Sequence, residues 1–464
     1  MNYYLAIDIG ASSGRHILGH LENNKMILEE IYRFSNGMEK KDGHLIWDVD
    51  ALFEHIIIGM KKCKEKNIVP VSVGIDTWAV DYVLLDEGGN RIQDVYRYRD
   101  SRTNGVDKEV YKIICEEDLY KRTGIQKQIF NTIYQLKAED KLDETNCMLM
   151  IPDYFNYLLT GQKITEYTNA STTQLVSPDT KDWDYDLIEM LGYPKHIFTK
   201  IKNPGYVVGN LKPEIQTVVG FDTRIVLPAT HDTASAVLAV PSNEDVLYIS
   251  SGTWSLMGCE LKEANCSLES KKRNFTNEGG IDYRFRYLKN IMGMWMINSM
   301  RKEIANEYSF DDICEMAKKE TITSIVDAQD HRFLASVSMV EEVKNACLET
   351  GQEVPQTIGQ IAKVIYQSLA DCYKNVANEI ESMTRKKYSS IHIVGGGSQA
   401  MYLNELTAKV CQKQVYAGPV EATAIGNIAA QMLSNHELMN LYEARKCIFD
   451  SFEIIKVEGE YYVS

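Results

Sequence analysis

The sequence is poor in the patterns that announce a metal centre, a redox pair or a membrane segment. Its ten cysteines (63, 115, 147, 259, 266, 314, 347, 372, 411 and 447) never form a CxxC pair. A disulfide framework and clustered metal ligation are both disfavoured, and a reducing cytoplasm fits best. The nine histidines show no H-x-x-H or H-E-x-x-H spacing, which argues against a metal hydrolase. No apolar run approaches the length of a membrane span. The N-terminal MNYYLAIDIG has no basic region, and Asp8 interrupts its apolar run, unlike a secretory signal. Positive charge is in deficit, with 50 Lys and Arg against 65 Asp and Glu and a formal net charge of −15. That disfavours a nucleic-acid partner, because a phosphate backbone needs a basic surface. A single nucleotide is not excluded, since a few backbone N–H groups can hold its phosphates. No GK[ST] follows a glycine-rich turn and no GxGxxG follows a strand, so neither a Walker A loop nor a Rossmann dinucleotide site is supported.

What remains is a chain of ordinary globular composition, 44% hydrophobic and 25% charged over 464 residues. That length exceeds one core and predicts two or three domains. Strand and helix patterns mix, so the class is α/β. Tyr3 to Ile9 reads as a strand closed by Gly10, Ala11–Gly14 as a turn of small residues, and Arg15 to Leu21 as a second strand. Asp48–Asp50 can cap a helix whose apolar face is Leu52, Ile56, Gly59/Met60 and Cys63. Val71–Ile75 and Tyr82–Leu85 are further strands, the latter closed by the turn Asp86–Asn90. The second half opens the same way: Val246–Ile249, the polar turn Ser250–Thr253, then Trp254–Glu260. Two such hairpins suggest an internal duplication, with its junction at Val240–Asp245. Thr357–Ser382 has a long helical pattern, followed by the strand Ser390–Val394 and three glycines. Phe452–Val463 alternates like an edge strand.

Several stretches could carry chemistry. The turn in Asp8-Ile9-Gly10-Ala11-Ser12-Ser13-Gly14-Arg15 has no bulky side chain, so its N–H groups could close around phosphate. Asp8, at the strand end, could hold Mg²⁺ through water; the plain alternative is an ordinary β-turn. Ser250–Thr253 repeats the pattern, and Val394–Ser398 (VGGGS) lets backbone approach a flat ligand. In PATHDTASAV (Pro228–Val237), Thr230 or Asp232 could simply cap the helix Asp232–Val240. Asp232 could equally accept a proton from a hydroxyl attacking a phosphate. Around Trp78, the run GIDTWAVDY and the later YRDSRT resemble a sugar site, an aromatic face with hydrogen-bond partners. Composition alone favours a core Trp78 and a solvated, self-paired Arg99–Arg102 loop.

Read in order, DIGASSGR, GIDTWAVDYVLLD, YRDSRT, ATHDTASAV, SSGTWSLMG, NFTNEGG, LKNIMGMW, IHIVGGGSQ and AGPVEATAIGN resemble the FGGY family of carbohydrate kinases over nearly the whole chain. The resemblance implies two actin-like (ribonuclease H-like) ATPase domains flanking a catalytic cleft. Residues 1–240 would form the sugar-binding side and 241–464 the nucleotide-binding side. It implies ATP and Mg²⁺, and in-line phosphorylation of a ketose: L-rhamnulose at its 1-hydroxyl, from the narrower motifs GIDTWxVDYVLLD and NxTNEGG. Another ketose kinase of the family, or a non-catalytic actin-like binding protein, is the alternative. By position in the motifs, Asp232 resembles the catalytic base, and Ala79, His231, Thr233 and Asn290 resemble sugar contacts. Ala11, Ser12, Ser13, Gly14, Arg15, Thr253, Asn298 and Gly396 resemble nucleotide contacts, and Asp8 the metal contact. Two positions depart from the pattern. Ala79 stands where TWGVD has glycine, which bears on sugar preference, and Asn298 stands where glutamine is usual. No nucleic acid or membrane is expected as a partner, and homo-oligomerisation is left open.

Overall fold

A computed structural model describes residues 1–334 and 336–457. The chain divides into two compact units. The first holds Met1–Ala239 together with Leu261–Tyr287 and Thr423–Ser451; the second holds Val240–Glu260, Leu288–Ala422 and the stretch from Phe452 on. The first long segment ends at Ala239. Two later segments of the chain return to the first unit.

The first unit is built on a six-stranded sheet. Its order is Val207–Asn210, Arg224–Val226, Ser72–Thr77, β1 (Tyr4–Ile9), β2 (Ser13–Glu22), β3 (Lys25–Ser35). β1 is antiparallel to β2 and parallel to Ser72–Thr77, which is parallel in turn to Arg224–Val226. Every residue of β1 is buried, as expected of an apolar run covered on both faces. Leu5, Ile7 and Ile9 share a core with Leu52, Ile56 and Met60 of α1 (Val49–Glu65). The helix has the face read from its spacing, and Asp48 caps it by accepting the Ala51 N–H at 2.9 Å. On strand Ser72–Thr77, Gly74 leaves room for helix Ala422–Ser434: a Cβ there would lie 2.5 Å from Asn427 Oδ1. Gly426 of that helix meets the backbone of helix Asp232–Leu238, where a Cβ would come within 1.8 Å of the Ser235 carbonyl oxygen. A smaller two-stranded sheet, Tyr82–Leu85 with Cys147–Met150, carries a second core that includes Ile133, Leu136 and Phe198.

The second unit repeats the pattern. Leu247–Ser251 is antiparallel to Ser255–Leu261 and parallel to Ser390–Val394, which is parallel to Gln414–Ala417. Ile455–Val457 closes that side antiparallel, as Val207–Asn210 does in the first sheet. The duplication suggested by two hairpins therefore extends to five strands of each sheet. The long helix is Ile358–Thr384, started by a capping box between Thr357 and Gln360. The edge strand expected over Phe452–Val463 is observed at Ile455–Val457, and residues 458–463 lie outside the described residues. Among the described residues, all ten cysteines are free and no helix is long and apolar enough to cross a membrane.

The approach of Gly426 to Ser235 gives a test. Gly426→Ala should lower stability by about 1–3 kcal/mol through overpacking, read as a lower midpoint in denaturant unfolding. An unchanged midpoint would contradict the close backbone contact.

Candidate active site

The site begins with strand register. Residues paired across neighbouring strands point to the same face. β1 pairs Asp8 with Arg15 on one side and with Asp76 on the other. Three ionisable residues thus stand in one row near the ends of their strands. Arg15 donates to Asp8 Oδ2 from Nε at 3.2 Å and from a terminal nitrogen at 3.1 Å. Asp76 is fully buried; its Oδ2 accepts from Asn427 Nδ2 at 2.6 Å and its Oδ1 has no hydrogen-bond partner. Burial, and then the Asp8 charge, push the Asp76 carboxyl well above the usual range.

The segment before Asp232 is tied to the same sheet end. Thr77 donates its N–H to the Thr230 carbonyl at 2.9 Å, and Thr77 bridges to His231 in parallel sense. A buried carboxylate, Glu166, then clamps the loop. Glu166 Oε2 accepts from the Thr230 N–H (3.1 Å) and hydroxyl (2.7 Å), the Thr168 hydroxyl (2.5 Å) and the Asn169 N–H (3.1 Å). Oε1 accepts the Thr168 N–H at 2.8 Å. Thr168 Oγ1 in turn accepts the His231 N–H at 3.2 Å. Thr230 therefore faces Glu166 and caps nothing. The helix is Asp232–Leu238 with His231 at its N-cap position and no side-chain cap bond. The N-cap position thus falls to His231 rather than to Thr230 or Asp232.

Asp232 Oδ1 accepts from the Thr233 N–H at 2.5 Å and the Thr233 hydroxyl at 3.1 Å, and lies 3.4 Å from His231 Nε2. Burial and then Asp8 raise its carboxyl to about 6, against the pull of the Thr233 hydrogen bonds. The side chain keeps 34% of its surface open, so solvent tempers the effect of burial. On its other edge His231 Nδ1 lies 3.1 Å from a terminal nitrogen of Arg286, which is 3.0 Å from Glu278 Oε2. His231 is therefore held neutral: burial, then Arg286, lower its pKa well below the ordinary value.

Ala79 opens a tight turn. The Asp81 N–H returns to the Ala79 carbonyl at 3.0 Å, and Val80 between them has φ +68°, costly for a β-branched residue. The turn is locked from outside. Asp81 Oδ2 accepts from Trp47 Nε1 (2.7 Å), Trp78 Nε1 (2.9 Å) and the Tyr98 N–H (3.1 Å), while Oδ1 accepts from Gln135 at 3.0 Å. Trp78 is buried and stacks on Trp47 at 3.7 Å, as the core reading had it. The Arg99–Arg102 stretch is not simply a solvated loop: Arg102 is pinned to Gln135 by bonds to its carbonyl at 3.1 Å and its side chain at 3.0 Å.

The small-residue turn of the first unit is closed by the Gly10 N–H to the Ser13 carbonyl (2.9 Å) and held by Asn36. Gly14 packs under Phe34, where a Cβ would sit 2.2 Å from the ring. In the second unit Gly395 and Gly397 pack on Ser251 of the hairpin; a Cβ on Gly397 would be 2.0 Å from its hydroxyl oxygen. Gly396 faces open space. The Thr253 carbonyl accepts the Trp295 N–H at 2.7 Å, which ties the hairpin to helix Trp295–Glu303 and so to Asn298. Asn290 is half-buried on strand Phe285–Ile291. Asp8, Ala11–Arg15, Ala79 and His231–Thr233 belong to the first unit, and Thr253, Asn290, Asn298 and Gly396 to the second. Sequence reasoning left Asp76, Asp81, Glu166, Glu278, Arg286 and Asn427 without roles. Asp76, Asp81, Glu278 and Asn427 lie in the quoted motifs, where they could have been noticed; Glu166 and Arg286 lie outside them and carry no local signal.

With this geometry in place, the comparisons with known proteins are specific. The N-terminal domain of the FGGY family of carbohydrate kinases matches residues 3–239, and its C-terminal domain matches residues 247–434. The chain belongs to the FGGY family of carbohydrate kinases, and it is a phosphotransferase with that family's two-domain, actin-like α/β fold. It is 51% identical over 459 residues to a rhamnulokinase of Halalkalibacterium halodurans, covering 98% of both chains. It is 43% identical to a rhamnulokinase of Bacillus subtilis, covering 97% of this chain and 94% of that one. Among solved structures it resembles the ligand-bound xylulose kinase of Lactobacillus acidophilus, with TM-score 0.81, 16% identity, and coverage of 99% of this chain and 94% of that one. Plasmodium falciparum glycerol kinase with ADP follows at TM-score 0.78 and 13% identity, with coverage of 99% and 95%.

The Glu166 clamp is open to test. Glu166→Gln turns an amide nitrogen toward N–H and O–H donors. It should cost about 1–3 kcal/mol of stability, seen as a lower unfolding midpoint, and should lower turnover by loosening the loop before Asp232. An unaltered midpoint would show that the clamp holds nothing.

Proposed function

We propose that this chain transfers the γ-phosphoryl group of ATP to the 1-hydroxyl of L-rhamnulose, giving L-rhamnulose 1-phosphate and ADP, as a step in the breakdown of L-rhamnose. The names of its full-length relatives support the sugar. The observation that carries the mechanism is Asp232: a carboxylate at a helix start, partly open to solvent, with its bonded donors all on Oδ1. Oδ2 then takes the proton of the sugar hydroxyl as O1 attacks phosphorus and the bond to the ADP oxygen breaks.

The other assignments follow as parts of this reading. His231, Thr233, Asn290 and the Ala79 turn contact the sugar. Ala11–Arg15 hold the phosphate tail, and Thr253, Asn298 and Gly396 hold the nucleotide on the second domain. Gly396 is suited to that role because nothing stands over its Cα. The acidic row suits a hydrated divalent cation. Asp8 and Asp76 are neighbours in register, and Asp76 Oδ1 is a buried acceptor without a partner. Mg²⁺ takes few protein oxygens and keeps its waters, so Asp8 and Asp76 would hold it through them. Bound there with ATP, it would neutralise charge on the phosphates. Ten unpaired cysteines fit a reducing cytoplasm.

Replacement of the base tests the mechanism. Asp232→Asn should still bind sugar and ATP in calorimetry, while kcat falls by at least ~10²-fold; near-normal turnover would sink the role. The active form is the carboxylate, and its pKa is raised to about 6. Activity should therefore fall as pH drops through about 6 and level off above it, in a kcat/KM profile. A panel of L-rhamnulose, L-fuculose, ribulose and xylulose, read by coupled ADP release, tests the sugar. Preference for another ketose would move the assignment within the family, and the methyl of Ala79 is the first place to look. No ketose-dependent ADP release at all would favour a binding protein.

A further inference from the structure

Two residues of the first unit, Glu278 and Arg286, have no part in the mechanism above, yet they meet the pair that does. Glu278 ends in a strand Thr276–Gly279, and Arg286 lies in the following strand Phe285–Ile291. Both are buried, and Arg286 is among the largest side chains fully removed from solvent. A buried guanidinium is expensive, and an apolar residue of similar volume would usually be as stable or more so. This one is anchored by Nε to the Gly279 carbonyl at 2.8 Å and by the Glu278 carboxylate at 3.0 Å. The same terminal nitrogen that meets Glu278 lies 3.1 Å from His231 Nδ1.

We propose that Arg286, braced by Glu278, is a positioning residue for phosphoryl transfer: it holds His231 as the Nε2–H tautomer, so that His231 donates to Asp232 Oδ1 and reserves Oδ2 for the sugar proton. The proposal rests on the reading of Asp232 as the base. Its chemistry is one of donors and acceptors. A guanidinium can only donate, so the imidazole nitrogen it faces at 3.1 Å must offer a lone pair. A neutral imidazole has one N–H, which then sits on Nε2. Nε2 lies 3.4 Å from Asp232 Oδ1, a long contact of the kind that tightens when substrate closes the site.

The competing arrangement puts the proton on Nδ1, aimed at Glu278 Oε2 3.5 Å away. It would set that N–H against the Arg286 N–H at 3.1 Å, and it would turn a lone pair on Nε2 toward the Asp232 carboxylate. Both contacts are repulsive. Protonating both nitrogens would place a second cation against Arg286, which is one of the two reasons the ring stays neutral. With the Nε2–H tautomer, the donors of His231 and Thr233 all meet Oδ1. The two carboxylate oxygens become inequivalent, and the base presents one lone pair in one direction. Asp232 cannot then rotate freely between productive and idle orientations, which is what positioning supplies in a phosphoryl transfer.

The tautomer can be read directly. In protein labelled with nitrogen-15 histidine, two-bond proton–nitrogen spectra distinguish Nε2–H from Nδ1–H rings, and the His231→Asn spectrum identifies the His231 signals. The wild-type protein at neutral pH should show Nε2–H for His231; Nδ1–H would overturn the proposal. This measurement needs neither substrate nor a variant of Arg286, so it stands whether or not the sugar is L-rhamnulose and whether or not Arg286 variants fold. In kinetics, Arg286→Met should lower kcat by about ten-fold or more, the worth of a hydrogen bond to a charged group, with KM for ATP nearly unchanged. His231→Gln keeps an amide donor whose orientation does not depend on a tautomer. In that background Arg286→Met should cost little more. Equal losses in both backgrounds would mean that Arg286 acts through structure alone, not through His231.

Discussion

The constraint on which the site depends is the crowding of negative charge at one end of the first sheet. Asp8 and Asp76 are paired in register, and both act electrostatically on Asp232 or are acted on by it. Carboxylates so placed cannot all ionise in a poorly solvated site. The structure divides the burden. Arg15 neutralises Asp8 from the next strand. Asn427 donates to Asp76, whose carboxyl burial and the Asp8 charge still hold well above the usual range. Asp232 is left with a carboxyl raised to about 6, which is high enough to accept a proton well and low enough to be ionised in neutral solution. This also gives a reason for the interleaved chain. Helix Ala422–Ser434 comes from late in the sequence, yet it packs with the first unit, where Asn427 and Gln431 reach Gly74, Asp76 and Leu5.

Around that charge, two further carboxylates act as knots for backbone. Functional loops expose N–H groups that a packed interior must satisfy. Glu166 gathers donors from Thr168, Asn169 and Thr230, and so fixes the approach to His231. Asp81 gathers two indole N–H groups, a backbone N–H and a glutamine amide, and so holds the strained turn at Val80. In both cases a buried anion is tolerated because it is nearly saturated with donors. A half-satisfied version would be worse than an apolar core. The arrangement ties down the loop before His231 and the turn at Val80 through hydrogen bonds from several elements.

Much of this was legible in the linear sequence. β1, β2 and Ser390–Val394 lie within two residues of their expected bounds, and α1 buries the expected face; β1 and Ser390–Val394 are buried throughout and end beside Gly10 and Gly395. The paired hairpins predicted a duplication that the two sheets bear out in sense and order. The roles of Thr230 and Arg102 were not legible. A threonine before a helix looks like a cap, and only its burial against Glu166 turns it elsewhere. An arginine in YRDSRT looks solvated, and only the helix Thr132–Lys137 folding beside it makes it a buried strut.

By itself the sequence determined the class of protein, its paired hairpins and the motifs that make up the candidate site, since those depend on local turn chemistry and on residues that stay together along the chain. The tertiary structure alone decided which groups share a charge. Asp8, Asp76, Asp232, Glu278, Arg286 and Asn427 are scattered over more than four hundred residues. Electrostatic coupling falls with distance in space and is indifferent to distance along the chain. Only the packed sheet could show that Asp232 is tuned by Asp8, and that a neutral His231 stands between it and a buried arginine.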